Sequence, residues 1–270
     1  MSRLSVLFKK KSSRVLNVYC TAGFPQLEST LDVIKALQQN GADIIELGIP
    51  YSDPLADGPV IQQSNKIALA NGMTIKKLFE QLKDFRKSPS FGGVGEVIPV
   101  LLMGYLNPVL QYGFEKFCSD AKSVGIDGLI LPDLPEFEFD NYYGAIIRKY
   151  DLDFIFLVTP ETSELRVKKL DELSSGFLYA VSSSSITGTN KNMDDISPYL
   201  QKLKAFKLKN PFLAGFGIRD NHTFETACVH ANGAIIGSAY IRALENAADI
   251  NAATKNFLSS ILPAQKRPLK

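Results

Sequence analysis

Residues 43–62 read D-I-I-E-L-G-I-P-Y-S-D-P-L-A-D-G-P-V-I-Q. The stretch opens as a buried strand, with Ile44, Ile45 and Leu47 around one carboxylate, Glu46. It then breaks into a loop in which Pro50, Pro54 and Pro59 fix φ and deny helix, while Asp53 and Asp57 add acid before Gly58. A helical pattern follows from Val60 to Ala70. Alone, such a loop reads as readily as acidic surface. Stiffness and carboxylates at the end of an apolar strand point instead to positioned chemistry, and the remaining chain decides between the two.

Outward from this unit, the same pattern repeats in both directions. Short apolar runs rich in β-branched and aromatic residues occur at Val15–Cys20, Ile44–Gly48, Val97–Met103, Gly128–Leu131, Phe154–Val158, Phe177–Val181, Pro211–Gly215 and Ala234–Gly237. Helical patterns separate them, at Leu27–Gln39, Phe114–Val124, Phe137–Lys149, Glu164–Leu173, Asp194–Phe206, His222–His230 and Tyr240–Ala248. Gly41 and Gly125 follow the first two as C-cap residues. Strict alternation with no linker or low-complexity tract predicts an α/β fold with a parallel sheet in one domain over 1–270. Eight units in a chain of 270 residues fit a (β/α)8 TIM barrel, typically about 250 residues, with a doubly wound open sheet as the alternative. The spacing doubles only between the second and third runs, where Ile75–Lys87 adds a further helical pattern. This extra helical segment lies on the carboxyl side of strand two, the end on which barrels build their active sites. Residues 1–14 predict an N-terminal helix with Leu4, Leu7 and Phe8 on one face, and 264–270 a disordered tail.

Composition narrows the function classes. A net charge of +2 on 270 residues argues for neither nucleic acid nor a membrane surface. The apolar run Leu4–Phe8 is too short for a secretory signal, and no run reaches transmembrane length. Cys20, Cys118 and Cys228 are odd in number and widely spaced, so they read as buried free thiols of a reducing, cytoplasmic protein. His222 and His230 fall on a helical pattern as surface residues. The sequence holds no metal-ligand spacing, and we expect no cofactor and no metal in this chain.

Small and polar residues follow each predicted strand, and none of the strand cores contains Lys or Arg. Strand alternation sets Ile44 and Glu46 on one face. If that face points into the barrel, apolar walls raise the Glu46 pKa toward the range a general acid/base requires. The residues equally allow a structural carboxylate bonded to Asn17, Tyr19 or Tyr179. An anion has to be bound without lysine. Gly215-Phe216-Gly217 before Asp220, with Gly237-Ser238 one unit later, provide backbone N–H groups at helix N-termini where barrels commonly hold phosphate. Ser182–Asn190 reads as a linker or as a lid over substrate.

These residues resemble a known family. E-L-G-I-P-Y-S-D-P-L-A-D-G-P-V-I-Q at 46–62, T-A-G-F-P at 21–25, L-P-D-L-P at 131–135, S-I-T-G at 185–188, G-F-G-I at 215–218 and G-S-A at 237–239 are similar to the motifs of the tryptophan synthase alpha subunit family, in the same order along essentially the whole chain. The resemblance implies a lyase that cleaves indole-3-glycerol phosphate to indole and glyceraldehyde 3-phosphate by a retro-aldol step. It implies Glu46 as the general acid/base and Asp57 as the carboxylate that accepts the indole N–H. Tyr179 is expected beside Glu46, and Gly188, Gly217, Gly237 and Ser238 around the phosphate. Tyr19, Leu102 and Leu129 are expected as indole-pocket walls, with Thr187 as the lid residue that meets Asp57. It further implies a pyridoxal-phosphate-dependent beta subunit as partner in an α2β2 complex, with Pro50–Asp57 and Asp133–Pro135 at the contact. Phe24 and Gly104-Tyr105 depart from commoner family forms as packing drift, and Ser182–Ser185 departs next to the lid.

Overall fold

The computed structural model describes residues 1–87, 97–182 and 197–262. Extended backbone forms at β1 Val15–Thr21, β2 Ile44–Gly48, β3 Val100–Met103, β4 Gly128–Ile130, β5 Asp153–Phe154, β6 Leu157–Val158, β7 Leu178–Ala180, β8 Phe212–Ala214 and β9 Gly233–Ile236. Every ladder is parallel, in the order β5-β4-β3-β2-β1-β9-β8-β7-β6. The two ends of that order, β5 and β6, are consecutive pieces of one extended run. On one side Ile155 N–H donates to Leu129 O at 3.1 Å, and on the other Tyr179 N–H donates to Phe156 O at 3.0 Å. The sheet therefore closes on itself as eight staves, the expected (β/α)8 barrel, and the run beginning at Phe154 is split where its partners change.

The strands are apolar on both faces because both faces are covered. Val15, Ile44, Leu101, Ile130, Ile155, Phe177, Leu213 and Ile235 fill the barrel interior. The alternate residues, such as Val18, Leu47, Leu102, Leu129 and Phe154, pack outward in the layer between strands and helices. The N-terminal helix forms over Arg3–Lys10, started by Ser2, whose hydroxyl accepts from Ser5 N–H at 3.2 Å. Leu4, Leu7 and Phe8 pack against the interior cluster, so this helix seals the amino end of the barrel. Arg3 and Arg86 both pair with buried Asp127, at 2.7 and 2.9 Å, and Asp127 also accepts from Val100 N–H at 2.8 Å.

The additional helical segment after β2 is present as Pro59–Ala70 and Ile75–Leu82, with a 3-10 turn at Phe85–Lys87. Two helices appear that periodicity did not reveal, Leu106–Tyr112 and Ile250–Ile261. In the second, fully buried Thr254 takes a core position, its hydroxyl 2.8 Å from Tyr240 Oη. A polar residue on the buried face weakens the apolar repeat. Cys20 and Cys118 are buried as expected, whereas Cys228 is only half-buried. Residues 264–270, expected as a tail, lie outside the described residues.

Candidate active site

Glu46 sits third in β2, in register with Tyr19 on β1 and Leu101 on β3. Its side chain points into the barrel and is completely buried. Asn17 Nδ2 donates to Glu46 Oε1, while Glu46 Oε2 and Asn17 Oδ1 have no hydrogen-bond partner. Burial raises the Glu46 pKa to about 8, with the Asn17 hydrogen bond working the other way. The group is thus protonated near neutrality and able to release its proton without a large penalty. The tyrosines Tyr19 and Tyr179 stand beside it, and burial keeps both phenols protonated, far above their ordinary range.

Two glycines make room for these rings. A Cβ at Gly48 would lie 2.1 Å from Tyr19 Oη, and one at Gly215 would lie 2.0 Å from Tyr179 Cε1. Each ring crosses the backbone of the neighbouring strand, so only glycine fits. Gly215, read from the sequence as part of a phosphate-binding turn, is instead approached by the protein's own Tyr179.

Asp57 lies at the end of the stiff loop after β2. Its N–H donates to Pro54 O at 3.0 Å and its carbonyl accepts from Gln62 Nε2 at 2.9 Å, which ties the loop to the following helix. Burial raises the Asp57 pKa to about 6, opposed by hydrogen bonds from Tyr105 and Asn65. Asn65 Nδ2 stands 3.4 Å from Asp57 Oδ2. Tyr105 Oη also accepts from Ala56 N–H at 3.1 Å, and its ring packs on Tyr51 with centroids 5.3 Å apart. Sequence reasoning missed this residue: Gly104-Tyr105 read as packing drift, yet Tyr105 is a direct partner of Asp57. The next residue, Leu106, donates its N–H to both Asp133 oxygens at 2.9 and 3.0 Å. The loops after β2, β3 and β4 are therefore linked in series.

Asp57 borders a cavity of about 610 Å³ at the carboxyl mouth of the barrel, whereas Glu46 is fully buried and does not line it. Asp57, Met103, Tyr179, Gly215 and Phe216 line one side, and Thr159 and Arg166 the other. Arg166 is the sole cation in that lining among the described residues, and its Nε stands 3.8 Å from Glu136. Across the mouth, Gly217 adopts φ +66°, a left-handed turn that glycine alone adopts freely. Asp220 caps the helix Asn221–Cys228 and accepts from Thr223 N–H at 2.8 Å, so that helix start already carries a carboxylate. The helix Ser238–Leu244 differs: its N-cap Gly237 makes no side-chain cap bond. A Cβ at Gly237 would meet nothing closer than 3.5 Å, so packing within the protein does not require glycine there.

Two expected pocket walls belong elsewhere. Leu102 and Leu129 are in register with Leu47 and pack with it in the outer, strand–helix layer. Leu101, Met103 and Ile130 face the interior instead. The one-residue error exchanges the two faces of a strand, because side chains alternate. Thr187 and Gly188 lie outside the described residues. His222 is exposed on its helix as expected, whereas His230 is half-buried in the turn beyond the helix, which ends at Cys228. Among the described residues no group of three or more His, Cys, Asp or Glu is placed to hold a metal ion, and no helix is long and apolar enough to cross a membrane.

Comparison with known proteins bears on this geometry. A family model described as tryptophan synthase alpha chain matches residues 6–266. The tryptophan synthase alpha chain of Phocaeicola vulgatus is 47% identical over 263 residues, covering 97% of this chain and 99% of the relative. That of Parabacteroides distasonis is 44% identical over 262 residues, with the same coverage of 97% and 99%. Among solved structures, tryptophan synthase subunit alpha from Legionella pneumophila superimposes with a TM-score of 0.85 at 35% identity, covering 97% of each chain. The aminoacrylate-bound tryptophan synthase from M. tuberculosis gives 0.81 at 30% identity, covering 97% of this chain and 100% of that one.

Proposed function

The chain belongs to the tryptophan synthase alpha chain family, and from that premise we propose how its residues divide the work of the alpha reaction. That reaction is the cleavage of indole-3-glycerol phosphate to indole and glyceraldehyde 3-phosphate. Indole passes to a beta subunit for synthesis of tryptophan.

Glu46 is the proton carrier. With a pKa near 8 it enters protonated at neutral pH and delivers its proton from Oε2 to C3 of the indole ring. The ring becomes an electron sink, positively charged at nitrogen. The resulting carboxylate takes the proton of the adjacent glyceryl hydroxyl, and the electrons of the C–C bond return to the ring. Indole and the aldehyde result, and Glu46 is protonated again. One group serves as acid and then base, worth roughly 10²- to 10⁴-fold.

Asp57, with a pKa near 6, is ionised at pH 7. It accepts the indole N–H and stabilises the charge developing on the ring. Two carboxylates whose surroundings hold their pKa values apart acquire different roles. Tyr19 serves as a wall of the indole pocket and Tyr179 stands beside Glu46, while the N–H groups of Gly217, Gly237 and Ser238 receive the phosphate in place of a lysine. Thr187 and Gly188 complete this arrangement from outside the described residues. The loop Pro50–Asp57, in which Ser52, Asp53, Leu55 and Ala56 are exposed, and Asp133–Pro135 form the face toward the beta subunit in an α2β2 assembly. Pyridoxal phosphate belongs to that partner, and the reaction steps above need no cofactor in this chain. We read 1–270 as one cytoplasmic domain.

The observation that carries the reading is a fully buried carboxyl with one oxygen held by Asn17 and the other unpartnered. Glu46→Gln is expected to abolish indole release, with or without a beta subunit, while glycerol phosphate still binds. Near-normal turnover by that variant refutes the assignment.

A further inference from the structure

We infer that Asn17 is the positioning residue for Glu46: its amide fixes one carboxyl oxygen and serves the group in both protonation states. This rests on Glu46 being the proton carrier, and it concerns a residue outside the motifs that mark the family.

Asn17 occupies the second inward position of β1, between Val15 and Tyr19, and is completely buried. Its strand partner Ile44 is apolar, as are the surrounding interior residues Val15 and Ile235. A buried primary amide in such company is costly unless its polar atoms are used. Nδ2 is used, on Glu46 Oε1, while Oδ1 is left without a partner, as is Glu46 Oε2. Among the described residues no other group donates to Glu46. The titratable groups around it are Tyr19 and Cys20 on β1, Tyr179 on β7 and, beyond the tyrosines, Asp57. None of these is cationic.

The chemistry of the amide suits this place. A lysine or arginine here would hold Glu46 ionised, and a second carboxylate would compete for its proton. An amide is an uncharged donor, so it neither holds the carboxyl ionised nor competes for its proton. Nδ2 donates to Oε1 whether Glu46 is ionised or protonated on Oε2, because the carbonyl oxygen of the acid accepts as the carboxylate does. With Oε1 engaged in both states, the transferable proton is carried on Oε2.

The test is direct titration of the Glu46 carboxyl stretch by infrared difference against Glu46→Gln, alongside pH profiles of kcat and kcat/KM. In Asn17→Leu the Glu46 titration is expected to move up by about one pH unit. The alkaline limb of kcat/KM follows it, because the first step consumes the Glu46 proton, and kcat falls roughly tenfold with KM little changed. A folded Asn17→Leu that titrates where the wild type does overturns the inference. If Asn17→Leu fails to bind glycerol phosphate or to unfold cooperatively, Asn17→Asp decides. Two carboxyls sharing one site titrate in two steps with the upper step above the wild-type position, and a single step at the wild-type position is again refutation. Turnover retained by Glu46→Gln while these titrations shift as stated contradicts the proposed function and leaves the Asn17 contact standing.

Discussion

Replacing Glu46 by Gln has a consequence for stability that can be worked from its burial. In the folded protein this carboxyl titrates at about 8, against an ordinary value of 4.5. Below pH 4.5 both folded and unfolded chains hold the proton, and titration costs nothing. Between pH 4.5 and about 8 the unfolded chain releases the proton and the folded chain keeps it, so stability falls as pH rises. The slope is about 1.4 kcal/mol per pH unit. At pH 7 the loss is about 3 kcal/mol, and it levels off at about 5 kcal/mol above pH 8. Glu46→Gln removes this loss and keeps a side chain that can both donate to and accept from Asn17. The variant should match the wild type near pH 4.5 and exceed it by about 3 kcal/mol at pH 7. Urea unfolding of both proteins at pH 5, 7 and 8.5 measures the difference. Parallel pH dependence in the two proteins refutes the reasoning, because it places Glu46 in surroundings that do not penalise its charge.

Asp57→Asn removes the negative partner of the indole nitrogen and should lower kcat by roughly 10²- to 10³-fold. It should also abolish the acid limb near pH 6, since the ionised form that rises through that pH no longer exists. Steady-state indole release across pH checks both effects. Tyr105→Phe deletes a hydrogen bond that lowers the Asp57 pKa, so the acid limb of kcat/KM should move upward by about one pH unit. An unmoved limb removes Tyr105 from the site. Leu4→Ala opens a void under the interior cluster beside Phe177 and should cost about 2 to 5 kcal/mol in chemical unfolding. Its kcat should stay near that of the wild type, because the loss lies at the opposite end of the barrel.

The barrel was legible because its strands are buried on both faces and regularly spaced. Eight apolar runs with glycine-marked helix ends leave few other arrangements. The position of the candidate carboxylates was also legible, since Glu46 is the one carboxylate inside the strand core of that stretch and Asp57 sits in a loop stiffened by three prolines. What escaped depends on facts that become visible only in three dimensions. Leu101 and Leu102 are chemically identical, and only the register with Glu46 or Leu47 tells which faces the interior. Gly215 looks like a ligand-contact glycine until the ring of Tyr179 is seen across it, as the ring of Tyr19 is across Gly48. Tyr105 carries no motif of its own, and its role follows from a neighbouring loop that folds back onto it. Thr254 hid a whole helix by placing a hydroxyl where periodicity calls for a hydrocarbon.

The N-terminal helix Arg3–Lys10 has an effect that reaches beyond packing. With Leu4, Leu7 and Phe8 stoppering the amino end, the vessel formed by the described residues opens at its carboxyl neck. On the proposed assignment, substrate enters and both products leave there. Glyceraldehyde phosphate is then held by its phosphate at the rim of β8 and β9, while indole has no charge to delay it on the side of β2 to β4. A subunit docked over that side of the neck therefore stands in the path of one product and clear of the other, which makes the direction of indole transfer a matter of plumbing before it is one of affinity.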